Sequence, residues 1–232
     1  MAVEDPLIHE KSLSRTIDAV HALAFQRRKL PLVERKRVAQ WIAARQGLTG
    51  AYAEMFAGFP KERTEGILVF TGERITSASA RHILGEEASV ALRWLAVRDE
   101  EIDAALQRAD VGMMSCLARA ALDPRNTNPG KFCCGKCTVA LWRNLLSGGL
   151  DRREERLSKG VGQFLRAHRV VEGKWRVFPF WYTVLALVEM DLPEAREELG
   201  YVAPSLERVA RRKVPAAVAG QRRWELAQRG LG

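Results

Sequence analysis

The chain has 232 residues, of which 47% are hydrophobic and 28% are charged. It carries 37 Lys and Arg against 28 Asp and Glu, which gives a formal net charge of +9 and a pI near 9.8. The hydrophobic and charged fractions are ordinary for a globular protein, and the length allows one large domain or two small ones with a core that needs no disulfides.

Two classes of segment are not predicted. The longest apolar stretches, such as residues 177–190, are shorter than the roughly 18 residues expected of a membrane span. The first residues are acidic and lack the basic and then apolar run of a secretion signal. The sequence therefore predicts a cytoplasmic protein without a membrane span.

The positive charge raises the question of nucleic-acid binding, because clustered Lys and Arg displace counterions from phosphates. Basic groups such as 27–29, 35–37, 211–213 and 222–223 lie in different segments, often beside acids. This spacing favours solvated helix surfaces over one binding stripe. Nucleic-acid binding is kept as an alternative.

The first 75 residues are predicted to form a helical segment followed by a loop. An apolar stripe from Leu7 to Ala24, at spacings of three and four, predicts one helix. Pro31 begins a second helix that runs to Ala44. Glycines and a proline surround the apolar run 67–70, so we expect a loop or at most one short strand there.

Residues 76–232 are predicted to form a helical repeat domain, which could be continuous with the first segment. Ser77 or Ser79 is a candidate cap for one helix, and Asp99 is a candidate cap for the next. The helical period then continues into a further helix, which residues 123–124 end with an Asp-Pro pair.

One sequence motif, called the repeated phrase below, occurs twice in this second segment. Gly130-Lys131-Phe132, followed by Thr138 and an apolar run, recurs as Gly173-Lys174-Trp175, followed by Thr183 and an apolar run. The glycines are 43 residues apart and the threonines 45. A repeated helix-loop-helix unit leaves an apolar face bare and must stack on a neighbour, so the repetition predicts stacked helical hairpins.

The predicted helices within the repeats are of two kinds. Residues 151–169 have apolar residues on one face and basic residues on the rest, so one side of that helix is expected in water. Residues 137–146 and 179–190 are apolar nearly all round and are expected to be buried. The alternation predicts an all-α fold in two layers, with outer helices wrapped on inner ones.

A family resemblance rests on the phrase from Phe164 to His168, then Glu172 to Trp175, then Thr183 to Leu187. This order resembles the repeat of the prenyltransferase and squalene-cyclase superfamily, in which an outer helix leads to a turn with Gly and an aromatic residue and then to an inner helix. The likeness covers roughly residues 112–192 in two units. It implies a partial α/α toroid with an apolar inner cavity.

The densest chemical feature of the sequence is the run Cys133-Cys134-Gly135-Lys136-Cys137. Three thiols on a turn leading into a helix can converge on one metal ion, and Cys134 and Cys137 have the spacing used in zinc knuckles. A closed zinc site needs a fourth ligand, for which Cys116 is the first candidate and His168 the second. The predicted metal site therefore consists of Cys116, Cys133, Cys134 and Cys137, with zinc as the predicted cofactor.

Two other interpretations fit the same cysteines. A Cys-x-x-Cys pair at a helix N-terminus resembles a dithiol redox motif, since the helix dipole and Lys136 both favour a thiolate. The cysteines could instead pack as small apolar residues in a tight turn. The sequence leaves all three interpretations open.

His82 and Glu86 form a weaker candidate site. They stand four residues apart on a predicted helix, which suits a metal or acid–base pair. Pairing at the surface of the helix is the favoured interpretation, because such spacings are common.

An aromatic cluster near the second copy of the phrase predicts either a pocket for an apolar ligand or part of the core. The core is the favoured interpretation. The candidate pocket residues are His168, Trp175, Phe178, Trp181 and Tyr182.

Three functions follow from these patterns. The leading hypothesis is a helical-repeat binding or scaffold protein whose concave side takes a protein partner or an apolar small molecule. The first alternative, implied by the family resemblance, is an enzyme of the toroid prenyl-transfer or cyclase type that acts on an apolar substrate. The second alternative is a basic protein that binds nucleic acid.

Overall fold

The computed structural model describes residues 6–171 and 173–232, which divide into two compact units. Unit 1 consists of the described residues up to Leu68, Arg74–Ala118 and Ser147–Leu150. Unit 2 consists of Val69–Glu73, Arg119–Leu146 and, apart from residue 172, Asp151–Gly232. The described residues form ten α-helices and two pairs of two-residue strands, which confirms the predicted, mostly all-α fold. The division into segments 1–75 and 76–232 stays a prediction.

Unit 1 is organised around its fourth helix. The helices of this unit are α1 (Leu13–Phe25), α2 (Leu32–Ala43), α3 (Pro60–Glu65), α4 (Ser79–Leu95) and α5 (Glu100–Ala121), the last belonging to unit 1 as far as Ala118. Helix α4 packs against α1, α2 and α3. It is buried at most of its positions, since it meets neighbours on several sides.

Helix α5 is one helix of 22 residues, where the sequence predicted two in succession. Gly112 lies in its middle, at a place where a Cβ would come within 1.9 Å of the carbonyl oxygen of Ala53. The glycine allows this close backbone contact while the helix continues.

The predicted short strand near residues 67–70 is β1 (Ile67–Leu68), and it has a partner, β2 (Arg74–Ile75), that the sequence did not indicate. The strands are antiparallel, with Ile67 opposite Ile75. Two residues are too few for a period-2 pattern to show in the sequence, so only the pairing identifies β2.

Unit 2 contains α6 (Gly135–Ser147, as far as Leu146), α7 (Arg153–Lys159), α8 (Phe180–Val188), α9 (Pro193–Ala210) and α10 (Val218–Leu231). Helix α7 continues as a π-helical turn over Gly160–Leu165 and a 3₁₀ turn over Arg166–His168. Helices α8, α9 and α10 pack on one another. Helices α6 and α8 are buried along most of their length, as predicted.

The two copies of the repeated phrase have different local structures. The first lies in an irregular loop before α6. The second lies in a hairpin of β3 (Arg169–Val170) and β4 (Lys174–Trp175), where Gly173 adopts a φ of +65°. Glycine favours this left-handed conformation because it has no Cβ. The two-layer repeat and the partial toroid stay predictions.

Within the described ranges, none of the helices combines the length and the apolar character that a membrane span requires.

Candidate metal centre

The cysteine loop leads directly into α6. The carbonyl of Cys134 accepts the first bond of the helix, from the backbone N–H of Thr138 at 2.8 Å. Cys133, one residue earlier, has a φ of +41°, a conformation that turns the chain sharply and that residues other than glycine seldom adopt. Cys133 is exposed, Cys134 is half-buried and Cys137 is buried.

Buried side chains of α6 fix the backbone of this loop. The Thr138 hydroxyl donates to the carbonyl of Phe132 at 2.7 Å and accepts from the N–H of the same residue at 3.0 Å. The Trp142 indole N–H donates to the carbonyl of Gly130 at 2.8 Å. These hydrogen bonds satisfy backbone N–H and C=O groups of the loop that take no part in the backbone hydrogen bonds of the helix. They therefore hold the loop in one position on α6.

Two glycines let the loop lie against other backbone segments of unit 2. A Cβ on Gly130 would come within 1.9 Å of the carbonyl oxygen of Arg156. A Cβ on Gly135 would come within 2.4 Å of the carbonyl oxygen of Val177. Contacts this short exclude any side chain at residues 130 and 135 unless the backbone moves. Both glycines therefore help to set where the thiols lie.

The three thiols of the loop lie close together. The sulfurs of Cys134 and Cys137 are 3.6 Å apart, and those of Cys133 and Cys137 lie within 4.8 Å of each other. Tetrahedral zinc with Zn–S bonds of about 2.3 Å holds pairs of sulfur ligands about 3.8 Å apart. The Cys134–Cys137 separation is close to this value, so these two thiols could share a metal ion.

The protonation of Cys133 bears on the chemistry of the cluster. Partial burial of its thiol raises the pKa of Cys133, and the neighbouring Cys134 raises it further, while a hydrogen bond with Cys137 lowers it. A raised pKa leaves less thiolate at neutral pH, which makes Cys133 a weak nucleophile in the absence of a metal. A bound metal favours the thiolate by direct coordination.

Cys116 lies in unit 1, where it is buried in α5. The sequence joined it to the three cysteines of the loop as a fourth ligand. That assignment stays a prediction, as does the ligand role of His168.

The residues of the predicted pocket pack on other aromatic rings of unit 2. His168 lies 5.5 Å from the Phe178 ring, centroid to centroid, and its Nδ1 lies 2.7 Å from the carbonyl of Phe164. Trp175 lies 5.8 Å from the ring of Phe180. Trp175, Phe178 and Tyr182 are buried, and His168 and Trp181 are half-buried. A ligand pocket among them stays a prediction.

His82 and Glu86, the weaker candidate pair, lie in α4 of unit 1. The His82 ring is half-buried and lies against Tyr52, with 3.7 Å between ring centroids. Glu86 is almost completely buried. The favoured interpretation of a surface pair is wrong for Glu86, because α4 is covered on the side where this carboxylate lies.

Sequence analysis missed two buried polar groups of unit 1. The Glu62 carboxylate accepts hydrogen bonds from the N–H groups of Ser14 at 2.7 Å and Phe59 at 2.8 Å, and from the Ser12 hydroxyl at 2.8 Å. His21 and Glu87 are both buried and in contact, with 3.3 Å between Nδ1 and Oε2. A helix that begins Pro60-Lys61-Glu62 carries an N-terminal signal for Glu62, but nothing local indicates the His21–Glu87 pair.

Comparison with known proteins assigns no family to this chain. No protein-family model matches it, and neither a curated protein nor a solved structure shows significant similarity to it.

Proposed function

We propose that this chain is a cytoplasmic helical binding protein in which Cys133, Cys134 and Cys137 hold a zinc ion that fixes the loop before α6. The 3.6 Å separation of the Cys134 and Cys137 sulfurs carries the proposal, because it is close to the distance between two sulfur ligands of one tetrahedral zinc ion. None of the four cysteines, all of which lie in the described ranges, forms a disulfide, and a reducing compartment keeps cysteines as thiols that a metal can bind.

The role of the proposed zinc is structural. Loop residues are already held by Thr138 and Trp142, and zinc would tie the Cys133 end of the loop to the first turn of α6. Since metal binding to a folded site adds to folding free energy, the loaded protein should be more stable than the apo protein.

Elemental analysis of the protein purified without a metal-chelating tag tests this proposal. We expect one zinc per chain in the wild type, and loss of that zinc in Cys134→Ser and Cys137→Ser. Lys136→Ala, in the same loop, is the matched control and should keep the metal. Absence of zinc from wild type reconstituted with excess metal, or full occupancy in both serine variants, would contradict the proposal.

Elemental analysis of single-substitution variants identifies the fourth zinc ligand. Cys116 and each of the four histidines of the chain are replaced in turn. The variant that loses zinc or that gains an exchangeable water ligand identifies the residue. If all five keep the metal, the fourth position is held by solvent or by a carboxylate.

A dithiol redox pair is the second candidate, favoured by the same short distance between Cys134 and Cys137. In that reaction the two thiols would lose two protons and two electrons to an acceptor disulfide, which becomes two thiols. A free-thiol count separates the candidates. Two thiols lost on treatment with oxidised glutathione, in a protein without zinc, favour the redox pair. Thiols that titrate only after chelation favour the metal site.

A further inference from the structure

The positive charge of this chain is concentrated in one unit. Unit 2 carries 21 Lys and Arg against 13 Asp and Glu, a formal net charge of +8. Unit 1 carries 16 against 15, a net charge of +1. The excess of positive charge therefore lies mostly in one compact body, which is the condition for a directional electrostatic field.

Many cations of unit 2 are neutralised by neighbouring acids. Arg143 donates to Glu189 at 2.8 Å. Arg169 donates from Nε to Oε2 of the buried Glu198 at 3.2 Å. Three cations beside the cysteine loop differ: Lys131, Lys136 and Arg176 form no ion pair with any residue of the described ranges. Their charge is available to a partner.

The backbone positions of these three cations lie near one group of rings. The Lys131 ammonium lies 5.5 Å from the centre of the Phe164 ring. Phe164 lies 4.8 Å from the His168 ring. The N–H of Arg176 donates to the carbonyl of His168 at 2.8 Å. Lys136 follows Gly135, whose missing Cβ would lie 3.3 Å from Cγ of Phe178, and the Phe178 ring lies 5.5 Å from Phe164.

We call this region the cysteine-loop surface and define it by Lys131, Lys136, Phe164, His168 and Arg176. Arg176 is exposed and the other four are half-buried, so each of them presents some surface to solvent. Cations close to partly exposed aromatic rings are the combination that binds phosphates and unpaired bases. Base–aromatic stacking requires unpaired bases, which a duplex does not offer.

We infer that the cysteine-loop surface binds single-stranded nucleic acid. The inference deepens the proposed function, on which it rests, by naming the class of partner. Phosphates pair with the three cations, while bases stack on Phe164 and His168. The proposed zinc holds the loop that carries Lys131 and Lys136 in place.

Fluorescence anisotropy with labelled 20-nucleotide oligo-uridine and oligo-thymidine tests the inference. The variant K131Q/K136Q/R176Q removes the three cations. Its matched control, K11Q/K29Q/R98Q, removes three exposed cations of unit 1, so that both variants lose the same net charge. Binding of the wild type should weaken as salt rises, because phosphate contacts release counterions.

The expected result is quantitative. Loss of three phosphate contacts should make the slope of log affinity against log salt shallower by about two, since each contact to a single strand contributes about 0.7. Binding at 50 mM salt should fall at least about tenfold in K131Q/K136Q/R176Q, and less than about threefold in the control. The Phe164→Leu variant should lose affinity without a change in the salt slope, because it removes an aromatic ring and keeps all three cations.

Four outcomes would overturn the inference. They are no binding at 50 mM salt, equal losses in the two triple variants, duplex binding as tight as single-strand binding, and binding to vesicles with anionic lipid in the absence of oligonucleotide binding. Zinc analysis of the same preparations separates the two proposals. Oligonucleotide binding by zinc-free wild type would refute the metal site alone, and a zinc-loaded protein that does not bind would refute the partner alone.

Discussion

Units 1 and 2 place their charges differently. Unit 1 is nearly neutral, and its described core contains the carboxylates of Glu62, Glu86 and Glu87. In the described part of unit 2, Glu198 is the buried carboxylate, and a net charge of +8 lies largely outside the core. The difference teaches that burial and net charge are distributed separately: most of the buried acids lie in unit 1, whereas most of the excess positive charge lies in unit 2.

Replacing a buried carboxylate of unit 1 should have the largest effect on the free energy of unfolding. Glu62→Gln keeps the size of the side chain but replaces one accepting oxygen with a donor, so the groups that donate to that oxygen lose their acceptor. We expect a loss of about 3 kcal/mol in the free energy of unfolding, measured by urea denaturation. Glu65→Gln is the control, because Glu65 makes an exposed pair with Lys61, and should change stability by less than about 0.5 kcal/mol. Equal losses of unfolding free energy in both variants would show that the hydrogen bonds of Glu62 do not stabilise the protein.

A change in the backbone of the cysteine loop in unit 2 should have the second largest effect on the free energy of unfolding. Gly130→Ala places a Cβ within 1.9 Å of the carbonyl of Arg156, so the loop must move away from α7. We expect the free energy of unfolding to fall by about 2 kcal/mol and zinc binding to weaken. Gly200→Ala is the control in α9, where a Cβ meets nothing within 4 Å, and should stabilise the protein by up to about 1 kcal/mol. A stable Gly130→Ala protein would mean that the loop is not held as described.

Thr138 and Thr183, the equivalent residues of the repeated phrase, offer a matched pair of variants. Thr138 bonds both backbone groups of Phe132, whereas Thr183 donates to the carbonyl of Pro179, four residues before it. Thr138→Val should cost about 1 kcal/mol and lower zinc affinity about tenfold, because the thiols lose their supporting contact. Thr183→Val should leave zinc affinity unchanged. Competition with a chromophoric chelator measures both, and equal zinc affinities would show that Thr138 does not position the site.

The smallest predicted effect is a pH dependence in unit 2. A hydrogen bond from Ser158 holds the pKa of Glu194 below its ordinary value, with help from the backbone N–H of Glu194 and the charge of Arg166. A group whose pKa is lowered in the folded state contributes stability above its unfolded pKa, and that contribution is lost as the pH falls through its folded pKa. Ser158→Ala should therefore raise the pKa of Glu194 and reduce the loss of stability below about pH 4.

NMR titration of the Glu194 carboxyl measures this shift, and Ser115→Ala, which removes a local hydroxyl of α5, is the control. An unchanged pKa in Ser158→Ala would assign the shift to Arg166 and the backbone instead.

Local patterns explain which predictions were confirmed. Helix α2 follows Pro31, as the sequence indicated, because proline fixes a backbone angle suited to a helix start. The burial of α6 followed from an apolar run with few polar interruptions. The loop cysteines lie close together because they fall within five residues, so their approach needs no long-range packing.

The contacts that the sequence could not predict join residues far apart along the chain. Glu62 meets the start of α1 about fifty positions earlier, and the Glu73 carboxylate accepts from the N–H groups of Trp181 and Tyr182 at the start of α8. Neither acid lies in a motif that specifies its partner. Hydrophobic periodicity reports which face of a segment is buried, but it carries no information about which other segment covers that face.

The sequence by itself determined the helical class of this protein and the closeness of Cys133, Cys134 and Cys137, because both depend on neighbours within a few residues. Only the tertiary structure decided which acids are buried and which cations form ion pairs within the described ranges. It also decided that the five residues Val69–Glu73 join unit 2 while the strands on either side of them belong to unit 1. Burial and charge pairing depend on how distant segments pack, and packing minimises free energy over the whole chain rather than along any one stretch of it.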